Sequence, residues 1–154
     1  RMSDSQTQLL HTMPQLSEPH LADTTVWSKA RNHPELSAWF NTEVRSNRIW
    51  ICEVVSLELL RSARNTAAFT VQSELLGLLP SCPVAATEWG RSRQVQELLA
   101  TKGKHRGIPP SDLLIAAAAE SAGLPLLHYD HDYDLIAQAS GQTTRWLLPA
   151  GTLP

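Results

Sequence analysis

Apolar positions in this chain fall into two patterns that alternate along its length. Short unbroken runs, such as RIWIC ending at Cys52 and the leucines at 124, 126 and 127, read as strands buried on both faces. Between them lie longer stretches with apolar residues every three or four positions, which read as helices. Leu36, Trp39, Phe40 and Val44 share one face of a helix that opens at Pro34. Val54, Leu57 and Leu60 recur at helical spacing in EVVSLELLRSAR. Val95, Leu98 and Leu99 are expected to point inward from TEWGRSRQVQELLATKGK, with Arg91, Arg93 and Gln94 outward. Further helices are predicted after Asp23, over residues 65–79 and in DLIAQASG, with strands ending at Asp23, in PSCPVAA and in TTRWLLP. Short apolar strands alternating with helices indicate an α/β fold: a central parallel sheet of four to five strands between two helical layers.

The stretch from Pro110 to Asp134, PSDLLIAAAAESAGLPLLHYDHDYD, organises the rest. LLIAAAAESA is apolar nearly all round, so this helix is expected to lie buried, with Ser111 as its cap and Asp112 in its first turn. Gly123 ends it and Pro125 prevents restart. The strand that follows runs into Tyr129, Asp130, His131, Asp132, Tyr133 and Asp134.

Composition narrows the class. A chain of 154 residues with 42% apolar and 18% charged residues is an ordinary globular protein. Residues 1–18 are polar and aperiodic and read as a flexible N-terminal arm, leaving residues 19–154 as one domain. The net charge of −2 argues against indiscriminate nucleic-acid binding. Cys52 and Cys82 sit in apolar runs and are expected to be buried, reduced thiols. No apolar run approaches the roughly 20 residues that span a bilayer, and the start lacks a signal-peptide core, so no membrane is involved and a cytoplasmic location is expected.

In parallel sheets the ligand site lies beyond the carboxyl ends of the strands. Asp23 and Asp130 fall at such ends, Asp112 starts a helix on the same side, and Glu58 lies about a turn and a half into the helix after the second strand. Taken singly, each acid has an ordinary reading: a helix-dipole acid, a turn acid, a solvated surface residue. Their convergence would not be ordinary, because clustered buried carboxylates repel and need a neutralising cation. An all-oxygen set suits Mg²⁺ or Mn²⁺, which serve phosphoryl chemistry. Lys102, Lys104 and Arg106, in the loop before Asp112, are candidates for contacting a phosphate backbone. His128 and His131 flank Asp130 and read as hydrogen-bonded or surface histidines.

These residues carry a resemblance. DTTVW from Asp23, CEVVSLELLRSAR through Glu58, IPPSDLLIAAAAESAGLPLLHYD through Asp112 to Asp130, and HDYDLIA after it resemble PIN-domain proteins, specifically the VapC-type toxins of bacterial toxin–antitoxin pairs. The resemblance covers about residues 20–149. It implies a PIN-like α/β/α sandwich and an endoribonuclease dependent on Mg²⁺ or Mn²⁺. Its catalytic acids would be Asp23, Glu58, Asp112 and Asp130, with Asp23, Asp112 and Asp130 on the metal, Asp132 a substitute for the fourth acid, and the Thr25 hydroxyl in support. Implied partners are RNA, a VapB-type antitoxin wrapping the region of Trp39, Phe40, Leu75, Leu76 and Leu79, and a second copy in a homodimer. The rival expectation is a non-catalytic module whose acidic pocket binds a basic segment of a partner.

Overall fold

The computed structural model describes Asp4, Gln8 and residues 11–154. Its elements, in chain order, are β1 His20–Ala22, α1 Thr24–Asn32, α2 Pro34–Arg45, β2 Ile49–Cys52, α3 Glu53–Leu60, α4 Thr66–Gly77, β3 Ser81–Cys82, α5 Ala86–Thr101, a 3-10 turn His105–Gly107, α6 Pro110–Ser121, β4 Leu126–His128, α7 Asp132–Ser140 and β5 Thr144–Trp146. The five strands form one parallel sheet in the order β3-β2-β1-β4-β5. The direction of winding reverses between β1 and β4, so a crevice opens there at the carboxyl ends of these two strands.

Alternation of side chains along the strands explains their unbroken apolar runs. Leu21 and Leu126 enter one core, with Val55 and Leu59 of α3, Val95 and Leu99 of α5, Leu113 and Ile115 of α6, and Tyr133 and Ile136 of α7. Their neighbours Ala22 and Leu127 enter the other core, with Val26 and Ala30 of α1 and Leu36 and Phe40 of α2. The α/β/α architecture is therefore as expected, with all five strands parallel.

Helix α6 lies against α5, α3, α7 and β4, and every residue from Leu113 to Ala119 is buried. The four alanines at 116–119 have no bulk to keep neighbouring elements apart. Leu113, Leu114 and Ile115 contribute about 1.5–3 kcal/mol each by burial. Ser111 does not cap this helix. Pro109 occupies the cap position, and Pro110 opens the first turn, where its missing N–H costs nothing. The helix ends in a Schellman motif: Gly123, at φ +70°, donates to the Glu120 carbonyl at 3.1 Å, and Leu124 N–H donates to the Ala119 carbonyl at 3.0 Å. This turn reverses the chain directly into β4.

Three placements differ from expectation, two of them inward assignments. Leu57 is 67% exposed and Leu98 is 43% exposed. In α3 the sheet instead receives Val55, Ser56 and Leu59. Phe40, expected on a partner surface, is in the core, packed edge-to-face on Trp27 at 4.7 Å. Of the segment read as an arm, residues 1–3, 5–7, 9 and 10 lie outside the described residues. Farther along, Met13 and Leu16 are buried in the second core, and Trp39 Nε1 donates to the Pro14 carbonyl at 3.1 Å. Cys52 and Cys82 are buried and unbonded, as expected, and face each other across β2 and β3. Among the described residues no helix is long and apolar enough to cross a membrane.

Candidate active site

Asp23 follows β1 directly and is the N-cap of α1: its Oδ1 accepts from Val26 N–H at 3.4 Å and from the Thr25 hydroxyl at 2.6 Å. It is 2% exposed. Thr25 Oγ1 in turn accepts the Tyr129 N–H, at the end of β4, at 2.9 Å. One hydroxyl thus ties the ends of the two strands that bound the crevice.

Across the crevice the chain turns from β4 into α7. Asp130 Oδ1 accepts the Asp132 N–H at 2.9 Å, an Asx turn that starts the helix. Asp130 N–H donates to His128 Nδ1 at 3.2 Å. Burial pushes the His128 imidazole down to about 4, so it is neutral at physiological pH. Asp112 approaches from the first turn of α6, and the Tyr133 hydroxyl donates to its Oδ1 at 3.3 Å.

Asp112, Asp130 and Asp132 each present a carboxylate oxygen, all within 4.8 Å of one another. Burial raises the Asp112 carboxyl to about 7, reinforced in order by Asp130, Asp23, Asp132 and Glu58. Glu58 and Asp23 therefore share its field, though the tight trio is Asp112, Asp130 and Asp132. Burial likewise raises Asp23 to about 6, against the opposing hydrogen bonds from Thr25, Val26 and Tyr133. Asp132 is raised by burial and by Asp130. Glu58 is half-buried, and its Oε1 is fully enclosed with no hydrogen-bond partner. None of the ion pairs among the described residues involves these acids. Five carboxylates thus share one region without a protein cation. A donor set of carboxylate oxygens, one of them buried and unpartnered, fits a hard divalent cation.

Lys102, Lys104 and Arg106 are exposed on the turn that leads from α5 through Ile108 into α6, and none is in an ion pair among the described residues. Glu53 is exposed at the start of α3.

Tyr133 was not singled out by pattern. It is fully buried, reaches both Asp112 and Asp23, and is held far above the usual phenol range by burial and by those two acids. The one local signal was an aromatic residue placed between two acids, in DYD. Asp134 anchors two neighbouring rings instead of facing the trio. Its Oδ1 accepts from Trp146 Nε1 at 3.0 Å, and its Oδ2 lies 3.3 Å from His131 Nδ1.

Comparison with known proteins bears on this arrangement. Residues 21–139 match the PIN domain family. Ribonuclease VapC18 of Mycobacterium tuberculosis is 38% identical over 133 residues, spanning 85% of this chain and 96% of that protein. Ribonuclease VapC51 of the same organism is 35% identical over 134 residues, spanning 87% and 96%. Among solved structures, a chain of DNA-bound VapBC from Salmonella typhimurium superposes with a TM-score of 0.66 at 21% identity, covering 84% of this chain and 98% of that one. A chain of VapBC-5 from M. tuberculosis gives a TM-score of 0.55, also at 21% identity, with coverage of 84% and 98%. The structural likenesses speak for the fold, and the sequence relatives speak for descent. With the first two relatives covered almost end to end, the chain belongs to the PIN-domain family and, within it, to the VapC group.

Proposed function

We propose that this chain is a divalent-metal-dependent endoribonuclease that hydrolyses RNA phosphodiester bonds as the toxin of a toxin–antitoxin pair. The observation that carries this reading is the gathering of Asp23, Glu58, Asp112, Asp130 and Asp132 at the switch point without a neutralising side chain. The relatives named ribonuclease supply the reaction class.

Asp112, Asp130 and Asp132 would hold a Mg²⁺ or Mn²⁺ ion, with Asp23 and Glu58 completing the negative field around it. When bound, such an ion activates water and offsets the charge that develops on a phosphoryl oxygen. The rest falls to the chain. Thr25 fixes the Asp23 carboxylate by donating to it. Tyr133 does the same for Asp112, and the Asp132 amide does so for Asp130. Glu58 adds a further carboxylate to that field, with one oxygen enclosed and unpartnered. Lys102, Lys104 and Arg106 supply positive charge toward the RNA backbone.

The partner reading follows the VapBC complexes among the structural neighbours. Leu57 on α3, Phe69, Val71 and Leu75 on α4, and Leu78 just beyond it are large apolar residues left exposed. We assign this surface to an amphipathic helix of a VapB-type antitoxin. Of the surface expected around Trp39, Phe40, Leu75, Leu76 and Leu79, it keeps Leu75 and loses Phe40 to the core. A homodimer belongs to the same proposal, and light scattering of the pure chain reads it directly.

In Mn²⁺, Asp23→Asn and Asp112→Asn are expected to lose RNA cleavage by about 100-fold or more, on the order of the 2.7–4 kcal/mol that one electrostatic stabiliser contributes. Lys104→Glu combined with Arg106→Glu should raise KM while the circular dichroism stays native. Near wild-type turnover in both Asn variants, with partner binding kept, would instead favour a non-catalytic module.

The acids also set the pH response. Asp23 and Asp112 titrate higher folded than unfolded, at about 6 and about 7. Between about pH 4 and about pH 7 these two carboxyls bind more protons folded than unfolded; His128 and His20, both lowered by burial, act in the opposite sense below about pH 6.5, so the metal-free protein loses stability as pH rises above about 6.5. Thermal denaturation in EDTA should give a Tm that falls from about pH 6.5 to about pH 8. Added Mn²⁺, which competes with those protons, should raise Tm more at the higher pH. A metal-free Tm that holds level or climbs over this range contradicts the assignment.

For the partner surface, Leu75→Asp with Leu78→Asp should abolish co-purification with the antitoxin and leave RNA cleavage intact. Undiminished co-purification would move the contact elsewhere.

A further inference from the structure

A cleft of about 470 Å³ opens at the turn into α7. Its walls include His131 and Asp134 from the turn into α7, Arg145 and Trp146 from β5, and Thr12 and Pro14 from the N-terminal segment. His131 stands between Asp130 and Asp132 in the chain, so the cleft begins one residue from the carboxylate trio.

The side chains in this cleft are built to a pattern. Asp134 grips two rings at once: Trp146 Nε1 donates to one oxygen at 3.0 Å, and His131 Nδ1 lies 3.3 Å from the other. His131 stands edge-on to Trp146, with ring centroids 4.9 Å apart at 67°. Trp146 is held from behind by His128 at 4.9 Å and Tyr129 at 5.5 Å. The His131 side chain is nonetheless 78% exposed, so its ring faces stay open. Arg145 is exposed and has no carboxylate within ion-pair distance among the described residues.

An exposed histidine ring braced on a half-buried tryptophan, beside an uncommitted guanidinium, suits a single-stranded nucleic acid. Bases stack on the rings, and phosphates pair with the cation.

We infer that this cleft is a nucleotide subsite that seats the RNA residue next to the cut bond, its base against His131 and Trp146 and its phosphate against Arg145. The inference rests on the ribonuclease reading and adds to it the place where the substrate strand leaves the acids. The same lining gives the N-terminal segment a use, since Thr12 and Pro14 form one wall.

The test is steady-state cleavage, in Mn²⁺, of a single-stranded oligoribonucleotide that the intact protein cuts. It is compared with the same strand carrying an abasic ribose on one or the other side of the cut. On one side, the abasic ribose is expected to raise the wild-type KM on the order of tenfold. His131→Ala should raise KM for the intact strand by a similar factor and remove most of the abasic penalty, because both changes delete one contact. His131→Phe should keep the penalty, which separates stacking from protonation. Arg145→Ala should raise KM for both strands. A full abasic penalty in His131→Ala, or wild-type KM in both alanine variants, overturns the subsite while leaving the ribonuclease reading intact. Loss of antitoxin binding with KM unchanged also overturns it, by assigning the cleft to a protein. A wild-type protein that cuts no RNA in Mn²⁺ overturns both.

Discussion

Like charges do not gather in a half-buried crevice unless the rest of the chain holds them there. Asp112 is lifted to about 7 by burial and then by four other carboxylates, from β1, α3 and the β4–α7 turn. The force that opposes their separation is apolar. Helix α6 is buried from Leu113 to Ala119, and β4 is buried at all three of its positions. Moving Asp112 away from Asp130 would mean withdrawing the start of α6 from between α5 and α3. Separating Asp23 from Asp130 would mean unpairing β1 from β4 and breaking the Thr25 bridge to Tyr129. The strain sits in the charges, and the hydrophobic core sustains it.

Topology does the remaining positioning. In the order β3-β2-β1-β4-β5, only β1 and β4 are neighbours whose onward connections leave in opposite directions. Their carboxyl ends cannot be covered by either crossover, which leaves the crevice open to a large, extended substrate. The acids therefore sit where the backbone is regular but the surface is unfilled. The aromatic group around Trp146 and the basic turn before α6 provide stacking surface and positive charge, two properties that the carboxylates lack.

The sequence made the scaffold readable where composition left one option. The run LLIAAAAESAG has no polar face to expose, so its burial, and with it the place of Asp112, followed from the residues alone. Asp23 and Asp130 were legible because each ends an apolar strand. Phase was harder to read. EVVSLELL carries aliphatic residues on more than one side, so 54-57-60 and 55-59 were both credible inner faces. The sheet accepted the second and left Leu57 outside. Leu98 and Leu99 posed the same choice on α5. Tyr133, Trp146 and Arg145 carry no periodic signal, because their roles come from contacts with elements distant in sequence. Met13 and Leu16 are two apolar residues in a polar stretch, too few to mark a segment that nevertheless packs into the second core.

If the five acids form a seat for a divalent cation, anomalous diffraction from crystals of this chain soaked in Mn²⁺ will show the ion in place. A manganese peak is predicted between the carboxylates of Asp112, Asp130 and Asp132, and it should be lost in Asp112→Asn. A saturating soak that leaves this position empty, or one that puts the ion only at some other surface, contradicts the cation seat.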